Sequence, residues 1–527
     1  MTPYIYFKMK KSIIIITLLF VAIVPSVAKK QTTRIDHNIT IFNDVLRQLD
    51  INYVDTLNYD HLIEKSIEAL LYNVDPYTVY IPKSKDEQLR IMMEGKYGGV
   101  GAIVMQRDSD LYINEPYENM PAAKAGLRAG DKFISVDGMQ CYGKTVKELS
   151  NRLRGVPGST VKIVVERGKE LITKEVTRQD ISLPAIGLAS VYQDSIGYIL
   201  LSDFTQDAAQ EFLIALDKLV QDHQIKGLII DLRGNGGGLV SEATKILSFF
   251  LPKGTVISTT KGKVEKSSHS YTTETNPIYP DMPLVIMVNN NSASASEIVA
   301  GSLQDLKRAT LVGQRTYGKG LVQNIRPVAY GGYLKVTTSK YYLPSGRCIQ
   351  AIDYAERQKG NKLQKDSAAG ILPDVVLPDS QDINICYSLY RDHMFFDYAT
   401  LYRQKHAQIA SADQFKLTDA DIEDFCKFLE NKEFKYETEA GRYFTELIDL
   451  ATQEHVDSAT IAELKAMQPK LTLDLRTAID RCRTDIEKFL GSEIIKRYYY
   501  QKGYNAYTLR FDSEVKRAAE EIKNIIQ

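Results

Sequence analysis

Three apolar runs separated by helical patterns restrict the fold of this chain more than any other feature of its sequence. The runs are Ile196-Gly-Tyr-Ile-Leu-Leu, Gly227-Leu-Ile-Ile-Asp-Leu and Pro283-Leu-Val-Ile-Met-Val, and helical patterns at about 208–220 and 239–250 follow the first two. Strands that are apolar on both faces need helices on each side, as in parallel sheets. The alternation therefore predicts a covered, parallel α/β sheet in the middle of the chain.

Length and composition predict several globular domains. The chain has 527 residues, and one hydrophobic core usually holds about 100–200. Its 44% apolar and 25% charged content argues against a mostly disordered chain or a polytopic membrane protein. The 66 basic and 66 acidic side chains cancel, so the positive field of a general nucleic-acid binder is missing and we expect no nucleic-acid partner. Five scattered cysteines without a C-x-x-C pair indicate neither a disulfide scaffold nor a zinc knuckle.

The first 28 residues have the form of a secretory signal peptide. A short basic run at Met9–Lys11 precedes an apolar run at Ser12–Val24, and Ser26 and Ala28 put small residues at the positions that signal peptidase reads. The apolar run is shorter than the roughly 20 residues that span a bilayer. We expect a cleaved signal, with an uncleaved membrane anchor as the alternative, and an exported protein of the periplasm or cell envelope.

Changes in residue pattern divide the rest of the chain into four regions. Helical spacing of apolar residues indicates a helical region at 29–94. Short β-branched and aromatic runs, with Gly, Pro and Asp between them, indicate a compact mixed β domain at 95–181. The predicted sheet belongs to an α/β region at 182–379. Residues 380–527 return to a helical pattern, whose apolar stripes favour packing on a core over a coiled coil.

A glycine-rich segment follows the second apolar run and reads Asp231-Leu-Arg-Gly-Asn-Gly-Gly-Gly238. It connects a strand to a helix, where backbone N–H groups can bind an anion. The segment has neither the spacing of a dinucleotide-binding loop nor the Gly-Lys-Ser/Thr of a Walker loop. Two interpretations remain, a tight turn and a glycine-lined cradle for the oxyanion of an acyl-transfer intermediate.

A serine-rich segment, Asn291-Ser-Ala-Ser-Ala-Ser-Glu297, joins the third apolar run to a predicted helix. A serine at such a junction is usually an N-cap. The same junction suits a nucleophile, because the side chain is exposed on a sharp turn and the helix dipole favours nearby negative charge. Three serines alternate with alanines here, so the segment alone does not select one of them.

A serine needs a base to accept its proton, and none of the seven histidines lies in a recognisable triad context. Lysine can replace histidine when burial depresses its pKa. Lys319 is the candidate, because it lies between Gly318 and Gly320 in an apolar and aromatic stretch. A lone lysine is otherwise expected on the solvated surface. Gln323 would lie on the same face of a strand, where it could orient the amine.

The three segments, in this order and after a small β domain, resemble the carboxyl-terminal processing peptidases, also called tail-specific proteases. These are Ser/Lys endopeptidases with an embedded PDZ domain, and the resemblance covers about residues 36–378. It implies a multidomain α+β protein with a crotonase-like α/β catalytic core at 182–379 and an inserted PDZ domain at 95–181. A helical N-terminal arm and a helical C-terminal domain complete the expected architecture. We expect neither a cofactor nor a metal.

The resemblance implies a nucleophile and a base. Ser294 and Lys319 have the 25-residue separation that the family shows between these two groups. This separation selects Ser294 from its neighbours Ser292 and Ser296. Neutral Lys319 would accept the proton of the serine hydroxyl and later protonate the leaving amine.

The resemblance also implies supporting residues. Gln323 matches the family's glutamine four residues beyond the lysine, and Asp305 matches its acidic residue eleven beyond the serine. The implied oxyanion donors are the N–H groups of Ala295 and of a glycine in the cradle. Gly237 is the first choice for that glycine and Gly236 the second.

The β domain resembles a PDZ domain in detail. Tyr97-Gly98-Gly99-Val100-Gly101 matches the family's carboxylate-binding loop, whose N–H groups receive the terminal carboxylate of a peptide. A substrate tail would add as a strand beside the strand after Gly101 and a helix at about 146–153. Arg154, at the end of that helix, is a candidate for coupling peptide binding to the catalytic centre.

We therefore expect an endopeptidase that cleaves exported proteins near their C-terminal tails, with protein or peptide substrates that have free apolar C-termini. The alternative is a catalytically inactive PDZ-based envelope adaptor or chaperone. A crotonase-type acyl enzyme would share the oxyanion cradle, but export and the PDZ domain argue against it. A homo-oligomer, favoured as a dimer through the terminal helices, and an envelope adaptor protein are the expected partners.

Overall fold

The computed structural model describes residues 25–85, 97–193, 195–358, 369–378, 385–471 and 473–527. The chain forms two compact units, the first ending at Asn73 and the second beginning at Val74. The described part of the first unit contains two helices, α1 (Pro25–Asn52) and α2 (Tyr59–Tyr72). The predicted signal peptide falls mostly outside the described residues. No helix within the described ranges is long and apolar enough to cross a membrane.

The second unit begins with a short strand and a mixed β domain. Their elements are β1 (Val79–Ile81), β2 (Tyr97–Gly99), β3 (Ala102–Arg107), β4 (Asp110–Pro116), α3 (Pro121–Lys124), β5 (Lys132–Val136), β6 (Met139–Gln140), α4 (Val146–Leu153), β7 (Thr160–Arg167), β8 (Glu170–Thr177) and β9 (Gln179–Ile181). The main sheet has the order β3-β4-β5-β7-β8, with β6 paired to β5. β2 and β9 pair with each other and bring the two ends of the domain together. β3 is thus an edge strand, and α4 packs against it.

An α/β layer follows. Its elements are β10 (Ile186–Tyr192), β11 (Ile196–Leu201), α5 (Ala208–His223), β12 (Gly227–Asp231), α6 (Val240–Ser248), β13 (Val256–Gly262), β14 (His269–Thr272), β15 (Leu284–Val288), α7 (Ala295–Asp305), β16 (Thr310–Gly313), β17 (Leu321–Pro327), β18 (Tyr333–Tyr342), α8 (Ala355–Gln358) and β19 (Val375–Val376). The central sheet has the order β10-β11-β12-β15-β16-β19. All neighbours from β11 to β19 run parallel. The three apolar runs form β11, β12 and β15, as their alternation with helices predicts.

A second, antiparallel sheet lies beside the central one in the fold. Its order is β1-β18-β13-β14, and β17 also pairs with β18. β1 precedes the mixed β domain in the chain and pairs with β18, from Val79 opposite Lys335 to Ile81 opposite Tyr333. The β domain is therefore inserted between one strand of this sheet and the rest of the layer.

The remaining chain is helical. Its helices are α9 (Ile385–Arg391), α10 (Met394–Lys405), α11 (Asp419–Asn431), α12 (Glu439–Gln453), α13 (Ser458–Leu471), α14 (Leu475–Arg481), α15 (Arg483–Leu509) and α16 (Ser513–Ile526). Most of them share a core built around Phe395, Phe425 and Leu490. α16 instead places Val515 and Ile522 against one face of the central sheet. The opposite face is covered by α5, α6 and α7, so helices cover both faces of the sheet.

Candidate active site

Three segments that are distant in the sequence meet at the carboxyl ends of β12, β15 and β16. Asp231 pairs with Met287 and Val288 pairs with Gly313, so these three parallel strands end at one edge of the sheet. The glycine-rich segment, the serine segment and the lysine segment follow these strands in that order. Loops at the carboxyl ends of parallel strands commonly build binding sites. Asn235 O accepts the N–H of Ala293 at 3.0 Å, which ties the first two loops together.

Ser294 occupies a strained turn at the start of α7. Its backbone has φ 57° and ψ −114°. Residues other than glycine rarely adopt this conformation, which costs on the order of 1–3 kcal/mol. The helix begins immediately afterwards, because Ser294 O accepts the N–H of Ile298 at 3.0 Å. The turn leaves Ser294 partly exposed at the sheet edge. This is the geometry that the sequence predicts for a nucleophile.

The neighbouring serines have structural roles instead. Ser292 and Ser296 are fully buried. The hydroxyl of Ser292 donates to Leu232 O at 2.7 Å, and that of Ser296 donates to Asn235 O at 3.0 Å. Both hydroxyls therefore hold the glycine-rich loop against the serine turn, and neither is open to a substrate.

Glu297 joins the serine turn to the lysine segment. Its side chain is fully buried, and Oε2 accepts the N–H of Ser294 at 3.0 Å and the N–H of Lys319 at 2.8 Å. Oε1 accepts the hydroxyl of Thr316 at 2.6 Å and the N–H of Gly318 at 2.7 Å. Burial raises the pKa of Glu297, while these four hydrogen bonds favour its ionised form. One carboxylate thus fixes the backbones on which both candidate residues lie.

The environment of Lys319 shifts its amine towards the neutral form. Burial lowers the pKa of its amine, the charge of Lys335 on β18 lowers it further, and the Glu297 carboxylate opposes both effects. The amine nitrogen lies 5.0 Å from the centroid of the Tyr77 ring. The segment around Lys319 is tied to the serine loop, because Tyr317 N–H donates to Ser292 O at 3.0 Å.

Gln323 is near the site but does not have the predicted arrangement. Its amide nitrogen donates to Leu321 O at 3.2 Å and to Thr337 Oγ1 at 3.3 Å. The pairing of β17 with β18 shifts register between Val322 and Gln323. The extra residue at this shift is Thr338 on β18, which has no partner on β17, so the alternation along β17 itself is not interrupted. The structure thus bonds the amide nitrogen of Gln323 to the neighbouring strand, and its proposed role of orienting the Lys319 amine stays a prediction.

Asp305 lies outside the site. It ends α7, about 15 Å along the helix axis from the serine turn at 1.5 Å per residue. Its carboxylate pairs with Arg347 at 2.8 Å and accepts the N–H of Ser345 at 3.0 Å. The structure thus gives Asp305 a structural role at the far end of the helix and does not support the predicted catalytic one.

Backbone N–H groups of the serine turn and the glycine loop form the candidate oxyanion site. Within the described residues, the N–H groups of Ala295 and Gly236 donate to no protein acceptor. The N–H of Gly237 donates to Asn235 Oδ1 at 2.8 Å. Gly237 nevertheless lies against the serine, since a Cβ atom there would be 2.8 Å from Ser294 Cβ. Of the two glycines, Gly236 is therefore the one whose N–H is available to an oxyanion in the described part of the chain, although the resemblance ranks Gly237 first.

A partly buried ion-pair network connects the glycine-rich loop to the C-terminal helix α16. The guanidinium of Arg233 pairs with Asp231 at 2.6 Å, with Asp512 at 2.8 Å and with Glu514 at 2.6 Å. Asp512 is also the N-cap of α16 and accepts the N–H groups of Glu514 and Val515. The last helix of the chain is thus fixed to the loop that carries the oxyanion candidates.

The predicted carboxylate-binding loop lies at the start of β3. Gly101 has φ +70°, and a Cβ atom there would be 2.5 Å from Met120 Cβ. The N–H groups of Val100 and Gly101 donate to no protein acceptor within the described residues. Gly98 and Gly99 belong to β2, and the ring of Tyr97 lies 5.1 Å from the guanidinium of Arg154. The loop therefore adjoins the open edge of β3 and presents two unused N–H groups.

Sequence reasoning missed three residues of this site. Ser294-Ala-Ser-Glu297 has the Ser-x-x-Glu spacing of a capping box, which could have drawn attention to Glu297. Arg233 lies inside the recognised glycine-rich segment, but its partners on α16 are distant in sequence. Tyr77 has no local signal, because its contact with Lys319 depends on the pairing of β1 with β18.

Family models match most of the second unit. Peptidase family S41 matches residues 195–376, a PDZ domain matches 112–167, and the C-terminal helical domain of probable PDZ-proteases matches 385–522. The carboxy-terminal-processing protease of Bartonella bacilliformis is 32% identical over 366 residues, which cover 67% of this chain and 80% of the relative. The chain belongs to the carboxy-terminal processing protease family.

One further relative carries the same family name. The carboxy-terminal processing protease CtpB of Bacillus subtilis is 31% identical over 334 residues, which cover 62% of this chain and 68% of the relative. Among solved structures, a photosystem II D1 C-terminal processing protease is 27% identical and covers 63% of this chain and 86% of its own, with a TM-score of 0.38. This carboxy-terminal processing protease is a serine peptidase with an S41 core, a PDZ domain and a C-terminal helical domain. The predicted family, fold class and enzyme class are confirmed.

Proposed function

We propose that this serine peptidase uses Ser294 as its nucleophile and Lys319 as its general base. The observation that carries the proposal is the buried Glu297 carboxylate, which accepts the N–H groups of both residues within 3.0 Å. Ser294 is partly exposed on a strained turn, and Lys319 lies in surroundings that lower its pKa. A nucleophile and a base on one rigid support satisfy the requirement that reacting groups be held in fixed geometry.

The reaction proceeds in two stages. Neutral Lys319 accepts the hydroxyl proton as Ser294 Oγ bonds to the peptide carbonyl carbon, and the N–H groups of Ala295 and Gly236 stabilise the oxyanion. The lysine ammonium then gives its proton to the amine as the C–N bond breaks, which leaves an acyl-enzyme. In the second stage Lys319 takes a proton from water, the hydroxide attacks the ester, and the proton returns to Ser294 Oγ.

This chemistry has a defined pH dependence. Lys319 is active as a base only in its neutral form, and its pKa is lowered chiefly by burial. Activity is therefore present above the depressed pKa of Lys319 and falls as the pH drops through it. A lysine with an ordinary pKa, about 10.4, would instead give little activity at neutral pH.

The PDZ domain recruits substrates by their C-terminal tails. A tail that adds to the open edge of β3 gains main-chain hydrogen bonds, while the surface of α4 supplies pockets for alternate side chains. The unused N–H groups of Val100 and Gly101 receive its terminal carboxylate. A free, apolar C-terminus is the corresponding substrate feature.

We also propose that the protein is exported to the periplasm or cell envelope, on the signal-like form of residues 1–28. Its substrates are then exported proteins. An uncleaved signal would leave it attached to the membrane. A homodimer and an envelope adaptor protein are the partners that we expect.

The test is cleavage of an unfolded substrate that ends in an apolar tail. Ser294→Ala and Lys319→Ala should each abolish cleavage, while the exposed control Ser345→Ala and the half-exposed control Lys340→Ala retain it. A serine-reactive phosphonate should label the wild type and the controls but not Ser294→Ala. Full cleavage by Ser294→Ala would refute the nucleophile assignment. An unlabelled wild type would favour the alternative of an inactive PDZ-based adaptor or chaperone.

The tail preference is tested with the same substrate carrying a C-terminal carboxamide in place of the carboxylate. Loss of the negative charge should raise KM, because the N–H groups of the loop bind a carboxylate more strongly than a neutral amide. It should leave kcat unchanged, because the loop does not touch the scissile bond. Equal KM values for the two substrates would contradict tail recognition by this loop.

A further inference from the structure

The face of the Tyr77 ring lies over the Lys319 amine, with the nitrogen 5.0 Å from the ring centroid. This distance is within the range of cation–π contacts. Tyr77 belongs to the segment between α2 and β1, so it reaches the site from the part of the chain that precedes the PDZ domain. Nothing in the local sequence pattern links it to a catalytic role.

The backbone around Tyr77 is held rigidly. Asp75 is buried, and its Oδ1 accepts the N–H groups of Tyr77 at 2.8 Å and Thr78 at 2.7 Å. Its Oδ2 accepts the hydroxyl of Thr78 at 2.9 Å. Side chains of Asp that bond the backbone two and three residues on fix a turn. The position of the Tyr77 side chain is thus set by a turn with little freedom.

The same turn is bonded to the strands beside the lysine. Thr337 N–H on β18 donates to Thr78 Oγ1 at 3.2 Å, and the amide of Gln323 donates to Thr337 Oγ1 at 3.3 Å. The sequence pairs Gln323 with Lys319, whereas the structure connects Gln323 to the Tyr77 turn through Thr337. β1 and β18 pair immediately beyond this point. The turn is therefore an integral part of the wall around Lys319.

Other aromatic rings fix the orientation of Tyr77. Its ring packs edge-on against Tyr354, with 6.2 Å between centroids and an interplanar angle of 86°. Burial, followed by hydrogen bonding to Tyr317, raises the pKa of the Tyr77 phenol, so the group stays neutral at physiological pH. A neutral ring held on two sides presents a constant face to the amine.

We propose that Tyr77 is a positioning residue of the catalytic site, which holds the Lys319 side chain in place and keeps water away from its amine. The inference rests on the proposed role of Lys319 as base. A lysine side chain has four rotatable bonds, and a fixed wall restricts them to conformations near the serine turn. In this role Tyr77 acts on the reaction only through Lys319.

The ring has two opposite electrostatic effects on the amine. Excluding water disfavours the ammonium form, whereas the electron-rich face attracts it. The other charged or titratable groups that face the amine are Lys335 from β18 and Glu297 from α7. Tyr317 and Tyr354 act on it through Tyr77. Variants that separate bulk from the aromatic face can therefore distinguish the two effects.

The experiment measures kcat, KM and the pH profile of kcat for Tyr77→Phe, Tyr77→Leu and Tyr77→Ala. Tyr77→Phe keeps the ring and should retain the wild-type kcat and pH profile. Tyr77→Ala opens the amine to water, so its acid limb should move to higher pH and kcat at neutral pH should fall by about 10- to 100-fold. Tyr77→Leu keeps the bulk without the aromatic face, so its acid limb should not move to higher pH. KM should change little in all three.

Two controls make the result specific. Tyr80→Ala removes a ring of the same size from β1, where Tyr80 packs against Gly332, and it should keep the wild-type pH profile. Ser294→Ala tests the proposed function separately, since full cleavage there would refute the nucleophile and not the role of Tyr77. If Tyr77→Ala does not fold, Tyr77→Leu and Tyr77→Phe decide the question. The inference is overturned if Tyr77→Ala and Tyr77→Leu both keep the wild-type kcat and pH profile, or if Tyr77→Phe loses activity as Tyr77→Ala does.

Discussion

Replacing Glu297 by glutamine tests whether its carboxylate holds the serine turn and the lysine segment together. The side chain is fully buried and accepts four hydrogen bonds, two at each oxygen. In Glu297→Gln one oxygen becomes an NH2 group, which cannot accept. The hydroxyl of Thr316 can rotate to accept from this group, so we expect the NH2 on that side. The N–H of Gly318 is then left without an acceptor, and the amide oxygen still accepts from Ser294 and Lys319.

The size of the effect follows from these bonds. An unpaired buried N–H costs about 1–3 kcal/mol, and each of the two remaining bonds loses about 1 kcal/mol when its acceptor becomes neutral. The free energy of unfolding of the catalytic layer should therefore fall by about 3–5 kcal/mol. This figure is an upper limit, because a neutral amide costs less to bury than a carboxylate and so offsets part of the loss. Glu297→Ala leaves all four donors unpaired and should be less stable still. Its kcat should fall by about 100-fold, the effect of misplacing a reacting group by roughly 1 Å.

The decisive measurement combines denaturant unfolding with the pH profile of kcat. The Glu297 charge raises the pKa of Lys319. Its removal in Glu297→Gln should therefore lower that pKa and move the acid limb to lower pH. The exposed control Glu265→Gln should change neither quantity. The reasoning is refuted if Glu297→Gln unfolds like the wild type, or if its acid limb moves to higher pH.

Three further substitutions test the rest of the site. Gly237→Ala places a Cβ atom 2.8 Å from Ala293 O, at a residue whose φ is +107°. The resulting shift of the loop should lower kcat by about 100- to 1,000-fold. A near-normal kcat would show that the loop does not form the oxyanion site. Asp305→Asn breaks the ion pair with Arg347 far from the serine turn, so it should lower the melting temperature and leave kcat unchanged, and a large loss of kcat would restore its predicted catalytic role. Arg233→Met leaves the buried carboxylate of Asp231 and the partly exposed ones of Asp512 and Glu514 without their cation. We expect the free energy of unfolding to fall by at most about 3–5 kcal/mol and hydrogen exchange in α16 to become faster. Unchanged exchange would mean that α16 is held by its apolar contacts alone.

The fold was largely predictable because the strands of the central sheet are buried on both faces. Such strands are continuous apolar runs, and the structure places β11, β12 and β15 where these runs occur. The packing of α16 was not predictable in the same way. Its apolar stripe at Val515 and Ile522 shows that one face is buried, but the stripe is equally suited to another helix or to a sheet. Which surface it covers depends on tertiary contacts that no local pattern contains.

The candidate site shows the same division between local and distant information. A serine, a lysine and a glycine loop were recognised because each lies in a distinctive local sequence. The local sequence alone did not distinguish Ser294 from Ser292 and Ser296. The three serines differ in burial, and only the fold shows this difference. Gln323 was expected to orient Lys319, whereas the structure bonds its amide nitrogen to Thr337 on the neighbouring strand, a partner that no local pattern identifies. Asp305 has the family's separation of eleven residues from the serine, but it lies at the far end of helix α7 from the serine turn.

The requirements of position and of pKa conflict at Lys319. Glu297 is the group that ties the lysine segment to the serine turn, yet its negative charge stabilises the ammonium form that is inactive as a base. Four donors around the carboxylate spread this charge and reduce its effect on the amine. Burial and the charge of Lys335 then act in the opposite direction and lower the pKa. Glutamine in place of Glu297 would relieve the pKa and keep the bonds from Ser294 and Lys319, but it would leave the N–H of Gly318 without an acceptor. The buried carboxylate is therefore explained by the four donors that it holds, despite its unfavourable charge.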